Sequence, residues 1–277
     1  MNFWGGYFIR PNLRLWKEAA MQFLYDTHAH LDDEMFDCDR EEIIEKIKAS
    51  GVGLLNNIGS SMVSSRASLE LAEKYDFIHA AVGVHPSETA SLCMADMDEL
   101  REMAKNKKVV AIGEIGLDYH YDDTDPKTQK KWFRIQLDLA KELKLPVVIH
   151  DRESKGECLK ILKEKDIHFG VVHCFSDSAD TAKEILDMGL NISFTGVVTF
   201  KNAKRAIEAL KVIPIDRVFI ETDCPYMAPE PHRGTRNDSS LVCHIAQKIA
   251  EVKGLAFDEV AKITTENAMK FFNVKNL

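Results

Sequence analysis

From residue 22 onward the chain repeats one beat eight times: a short run rich in β-branched residues, then an amphipathic stretch of helical period. Such alternation marks repeated βα units, because parallel neighbours in a sheet need a crossover between them, and that crossover is usually a helix. The expected strands are 23–28, 52–58, 78–84, 109–112, 146–150, 170–174, 191–194 and 218–222. Several read as nearly continuous apolar runs, as strands covered on both faces do. Helical patterns lie between them, such as 40–50, with Ile43, Ile44 and Ile47 on one face, and 127–143. A further helix is expected over 257–272. Gly51 and Gly189 mark helix ends and Pro146 opens a strand.

Eight units predict an α/β fold that closes as a (β/α)8 barrel, and no linker rich in Gly, Ser or Pro divides 21–277 into smaller domains. An open doubly wound sheet would want a Gly-rich phosphate turn after the first strand, and His28-Ala29-His30 stands at that point instead. Residues 1–20 read as an appendage outside the fold. They carry Arg10, Arg14 and Lys17 but no apolar core of signal-peptide length, and Met21, just before a strong strand, is the expected native start.

Charge and cysteine content narrow the function. With 36 Lys and Arg against 44 Asp and Glu, the net charge of -8 excludes a broad basic surface that grips nucleic acid non-specifically. The six cysteines form no CxxC pair, so reduced thiols and a cytoplasmic location are expected. No apolar run reaches the roughly 20 residues of a membrane span, and the sequence points to no stable protein partner. At this length the core needs no structural metal, so any metal serves chemistry.

That chemistry is written at the carboxyl ends of the expected strands, where barrel enzymes assemble their sites. His28 and His30 stand two apart on the first strand, a spacing that puts both imidazoles on one side. Glu114 ends the fourth strand, His150 the fifth, His173 the sixth and Asp223 the eighth. One such histidine is more often a packing residue, but six suitable side chains ending strands in register point to metal ligation. They are too many for one catalytic ion, which keeps a position open, and so two divalent ions sharing a carboxylate are expected. Counting the ions against Glu114 and Asp223 leaves a local positive trap of about +2, which favours an anionic phosphate ester. Oxygen and nitrogen donors without thiolate admit Mg2+, Mn2+, Zn2+, Ni2+ or Fe2+.

A second layer is expected around the cluster. His85 ends the third strand and can donate to a substrate or leaving-group oxygen. His232, Arg233 and Arg236 follow the eighth strand on a Pro- and Gly-bent loop and, with Arg152, are candidate phosphate-binding residues. Cys174 and Cys224 follow His173 and Asp223 directly, so the pleat turns them to the opposite face as packing residues. His79, His168 and His244 read as structural, and His120 with Tyr119 is ambiguous.

The motifs DTHAHL (26–31), VGVHP (82–86), GEIGLDYH (113–120), PVVIHDR (146–152), HCFS (173–176) and ETDCPYMAPEPHRGTRN (221–237) together resemble TatD-like metal-dependent hydrolases of the amidohydrolase superfamily. The resemblance spans about residues 23–272. It implies a distorted TIM barrel in which His28, His30 and Asp223 hold one ion, His150 and His173 hold the second, and Glu114 bridges them. It also implies nuclease activity, commonly 3′ to 5′ removal of nucleotides from single-stranded DNA or RNA. Related members remove D-amino acids from tRNA, so aminoacyl ester hydrolysis at the same centre is the alternative. In the expected reaction Asp223 positions the attacking water and takes its proton, with Glu114 and His85 as its catalytic partners. Two departures stand out: Cys224 where many relatives have Ala or Ser, and Asp238-Ser239 where Glu-Pro is common.

Overall fold

The computed structural model describes residues 23–120 and 124–275. The expected appendage at 1–20 and the expected start at Met21 lie outside the described residues. Eight strands form one parallel sheet in sequence order: β1 (Leu24–Ala29), β2 (Val52–Ile58), β3 (Ile78–Val82), β4 (Val109–Asp118), β5 (Val147–Arg152), β6 (Gly170–Val172), β7 (Asn191–Phe194) and β8 (Val218–Ile220). An isolated parallel bridge between Ala29 and Cys224 brings the first strand to the chain beyond the last. The molecule is a nearly closed, distorted (β/α)8 barrel.

Helices connect the strands: α1 (Arg40–Ala49), α2 (Met62–Lys74), α3 (Met94–Met103), α4 (Pro126–Leu143), α5 (Glu157–Glu164), α6 (Ala179–Asp187) and α7 (Lys204–Val212), with α8 (Val242–Lys253) and α9 (Phe257–Phe271) following β8. The ends of α4 show how the sequence sets them. The Asp125 carboxylate accepts from the N–H groups of Lys127 and Thr128, Pro126 opens the helix, and Lys144 ends it in the left-handed region two residues before Pro146. Its Trp132, Phe133, Leu137 and Ala140 are buried. Their 132, 133, 137, 140 spacing is the apolar stripe of a helix on a sheet.

Two apolar clusters result. The larger lies between sheet and helices. The smaller joins Tyr25, Leu54, Ala81, Val148, Val171 and Phe219 to the end of α9, and it fills the barrel interior. Phe272 closes it from below, with ring centroids 6.0 Å from Phe219 and 6.1 Å from Tyr25. Burying one such phenyl ring contributes about 1.5–3 kcal/mol. With one end plugged, the open end is the carboxyl end of the strands. Pleat periodicity then carries the interior face upward from Val148 to His150 and from Val171 to His173.

One boundary differs materially from expectation. β4 runs on to Asp118, so Glu114 lies in mid-strand, where the pairing of β4 with β5 shifts between Ile112 and Ile115. Gly113 and Gly116, which look like strand breakers in the sequence, are instead places where neighbouring chain comes close. A Cβ on Gly116 would stand 1.9 Å from the His150 carbonyl oxygen.

Candidate metal centre

The open end of the barrel holds a cleft of about 690 Å³ whose walls include His30, His85, Glu114, Asp118, His150, Arg152, His173 and Asp223. At its floor the histidines and carboxylates expected from the sequence converge. His30 Nδ1 lies 2.8 Å from the Ile58 carbonyl oxygen, so Nδ1 carries the proton and Nε2 offers its lone pair. That Nε2 is 3.1 Å from His28 Nε2 and 3.5 Å from Asp223 Oδ1, and the His28 to Asp223 distance is 3.6 Å. Bonds of about 2.1 Å to a divalent ion give ligand edges of about 3.0–3.4 Å. The triangle therefore fits a coordination face.

Glu114 stands between two groups of donors. Its Oε2 is 3.5 Å from His28 Nε2, while Oε1 is 2.6 Å from His150 Nδ1 and 2.5 Å from His173 Nε2. His150 Nδ1 and His173 Nε2 are themselves 3.1 Å apart, and the His28 and His173 rings stack at 4.1 Å. His28, Glu114 and His173 form a second group of suitable atoms, and His85, Asp118 and His150 a third. The donor chemistry thus suits divalent cations. Burial raises the Glu114 pKa, but the charges of His173 and His150 outweigh it and hold the carboxyl well below its ordinary range. Burial and neighbouring His173 lower the His28 pKa as well, toward the neutral form that a metal needs, whereas the Glu114 charge outweighs burial and raises those of His150 and His173.

The structure also places partners that the sequence reading missed. Asp118 Oδ2 lies 3.1 Å from His150 Nε2 and is buried, so it accepts that proton and leaves Nδ1 aimed at the centre. Glu221 accepts the Cys174 N–H at 2.7 Å and faces His173 Nδ1 at 3.7 Å. Asp26 accepts the Thr222 N–H at 2.9 Å and its hydroxyl at 2.6 Å, fixing β1 to the segment that carries Asp223. Asp118 and Glu221 were legible by spacing, since they lie four and two residues from Glu114 and Asp223.

Other expected residues fall in different places. His85 caps the turn at Pro86–Ser91 and accepts the Ser87 N–H on Nδ1 at 3.2 Å. Nε2 then bears the hydrogen. Burial and nearby His150 push its pKa down to about 3, so it stands in the cleft as a neutral donor. Arg152 lines the cleft, but His232, Arg233 and Arg236 do not. The Arg236 guanidinium is held by the Asp39 carboxylate and the Met35 carbonyl, over the ring of Phe36. Arg233 lies 4.2 Å over the Phe200 ring, and His232 meets His244.

Cys224 is buried as expected, but Cys174 lines the cleft. β6 stops at Val172, so the pleat argument no longer applies, and Cys174 takes a left-handed conformation with φ of 48°. His120 pairs with Glu153 and the Tyr119 hydroxyl donates to Glu157, both away from the metal donors. The expected positive trap changes too. Asp32, Asp33, Asp118 and Asp151 also line the cleft, so a positive potential is confined to the immediate surroundings of any bound ions.

The family described as TatD related DNase matches residues 25–273. The chain belongs to the TatD family. A metal-dependent hydrolase of Bacillus subtilis, YabD, is 46% identical over 253 residues, covering 91% of this chain and 99% of that one. The metal-dependent hydrolase YcfH of Escherichia coli is 35% identical over 257 residues, covering 91% and 96%. Among solved structures, the TatD homologue YjjV of Escherichia coli superposes with a TM-score of 0.86 at 30% identity, covering 92% and 99%. A TatD family hydrolase of Entamoeba histolytica gives 0.83 at 25% identity, covering 92% and 99%. This TatD family member is therefore a metal-dependent hydrolase built on a TIM barrel. Among the described residues no helix is long and apolar enough to cross a membrane.

Proposed function

We propose that the protein is a two-metal phosphodiesterase that removes nucleotides from the 3′ end of single-stranded DNA or RNA. One observation carries this reading: the two oxygens of Glu114 face two different donor sets, His28, His30 and Asp223 on one side and His150 and His173 on the other. A carboxylate so placed would help to hold each of two divalent ions, with His28, His30 and Asp223 on one side and His150 and His173 on the other. The chemistry such ions supply is Lewis acidity, which activates water and neutralises charge on phosphate oxygens. Four imidazoles favour a transition metal, while Mg2+ remains able to support turnover.

The chain's own residues then divide the work. Asp223 accepts a proton from the attacking water as its oxygen bonds to phosphorus, and the P–O3′ ester bond breaks with its electron pair on O3′, which takes a proton from solvent to leave a 3′-hydroxyl. His85, neutral with its hydrogen on Nε2, donates to a non-bridging phosphate oxygen, and Arg152 faces the same anion from the wall. A stacked duplex cannot present its backbone at the floor of such a cleft without unpairing, so single strands and frayed ends are preferred.

A second reading, hydrolysis of the ester in a D-aminoacyl-tRNA, has one observation in its favour. The acidic lip of Asp32, Asp33 and Asp151 suits the free α-ammonium of an aminoacyl group. Metal-stripped protein reloaded with Mg2+ or Mn2+ should release nucleotides from a 3′-labelled single-stranded DNA oligonucleotide, and the Glu114→Ala variant should release none. No release with any ion would remove the nuclease reading and put the aminoacyl ester first.

A further inference from the structure

Three loops meet beside the metal cleft at the carboxyl end of the barrel. They bring together Met35 after β1, Phe200 after β7 and Tyr226 with Met227 after β8, around a pocket of about 390 Å³. We propose that this pocket is a stacking subsite for the nucleobase adjoining the scissile phosphate. The proposal rests on the phosphodiesterase reading above and specifies where its substrate lies.

Continuity carries the argument. Tyr226 and Met227 belong to the walls of both the metal cleft and this pocket, so a ligand too long for the cleft passes directly into it. The surface there is unusually apolar. Of the seven large hydrophobic side chains exposed among the described residues, three are Met35, Tyr226 and Met227, with 44%, 49% and 39% exposure. Isolated apolar residues on a surface need no explanation, but a cluster at the lip of a site does.

The pocket is also held in shape. The Tyr226 hydroxyl donates to Asp33 Oδ2 at 2.8 Å, and the Asn237 amide donates to the Tyr226 carbonyl at 2.6 Å. Opposite them, the Arg233 guanidinium lies over Phe200 and keeps a positive charge on an apolar wall. Aromatic, thioether and guanidinium surfaces are what a nucleobase stacks on, and such stacking tolerates any base because every base has a π-face. A phosphate at the metal donors and a base against this wall describe one nucleotide unit. The loop thus recognises the base, where the sequence alone suggested that its arginines recognise phosphate.

The test uses full-length protein loaded with Mn2+. Its substrates are a single-stranded oligonucleotide, the same strand made abasic in turn at each nucleotide flanking the 3′-terminal linkage, and a small diester with no aromatic ring, the abasic dinucleotide. Phe200→Ala should raise KM for the intact strand about 5- to 100-fold with little change in kcat, and should hydrolyse the small diester like the parent. One abasic strand should cost the parent a similar factor and abolish the difference between parent and variant. 2-Aminopurine at that nucleotide should be quenched on binding the parent and not the variant. If both proteins cleave the small diester and the intact strand with equal KM, the subsite is overturned while the phosphodiesterase reading stands. If Phe200→Ala fails to fold, the parent decides alone: equal KM for intact and both abasic strands overturns the proposal. If the parent cleaves neither the strand nor the small diester, the phosphodiesterase reading itself falls, and the subsite with it.

Discussion

Asp118 Oδ2 and His150 Nε2 lie 3.1 Å apart, on the side of the imidazole away from Glu114, whose Oε1 is 2.6 Å from Nδ1 of the same ring. The buried carboxylate therefore decides which nitrogen of His150 carries the proton. Replacing it by an amide of the same shape offers Nε2 either a donor or a weaker acceptor. Asp118→Asn is expected to fold normally but to lower metal affinity about 10- to 100-fold, read by competition with a chelating dye. An unchanged affinity would show that His150 needs no such partner.

Asp223 sits in the left-handed region at φ of 56°, with Oδ1 within 3.6 Å of two imidazole nitrogens. A general base typically contributes about 10²- to 10⁴-fold to rate. At saturating metal, Asp223→Asn should therefore lower kcat by that order while KM for the oligonucleotide changes little. Steady-state kinetics over a metal titration separates this from simple loss of the ion.

Gly116 is the position where β4 and β5 approach most demandingly, since an added Cβ would stand 1.9 Å from the His150 carbonyl oxygen. Neither partner is a flexible side chain, so the strands must part. Gly116→Ala should destabilise the fold by about 2–4 kcal/mol in urea titrations and should weaken metal binding through the displaced His150.

His79 lies low in the barrel, where burial, aided by Lys108, pushes its pKa down to about 4 from an ordinary 6.5. The folded state favours the neutral ring, so its contribution is complete above pH 6.5 and is lost as pH falls toward 4. By linkage, the parent should lose about 2 kcal/mol from this residue between pH 7 and pH 5. His79→Gln should lack that component. Urea midpoints of both proteins at the two pH values measure it, and equal losses would show that His79 does not titrate with folding.

The regular features of the fold and of the metal donors were legible because they obey short periods. His150 and His173 continue the interior face of Val148 and Val171, and the 52–58 and 191–194 strands have the bounds expected from the sequence. Asp118 escaped because the fourth strand was expected to end at residue 112, whereas it runs on to Asp118 itself. Cys174 escaped for the opposite reason, a pleat carried two residues beyond the strand that supports it. Which acid meets Arg236 was beyond any local pattern, because Asp39 lies far away in sequence and reaches it only across loops of the finished barrel. Loop residues take their roles from tertiary neighbours, whereas strand residues take theirs from the pleat.

The barrel closes where its first and last strands meet, and the same junction carries the donors. The Asp223 N–H bonds to the His28 carbonyl at 2.8 Å, and the His30 N–H to the Cys224 carbonyl at 2.8 Å. A growing polypeptide emerges from synthesis with its histidine pair first and with Asp223 only after all eight strands have been made. Until then the latch has no second half. The donor set is consequently incomplete until the chain has passed β8, and premature termination before β8 yields a chain that never acquires its full set of donors.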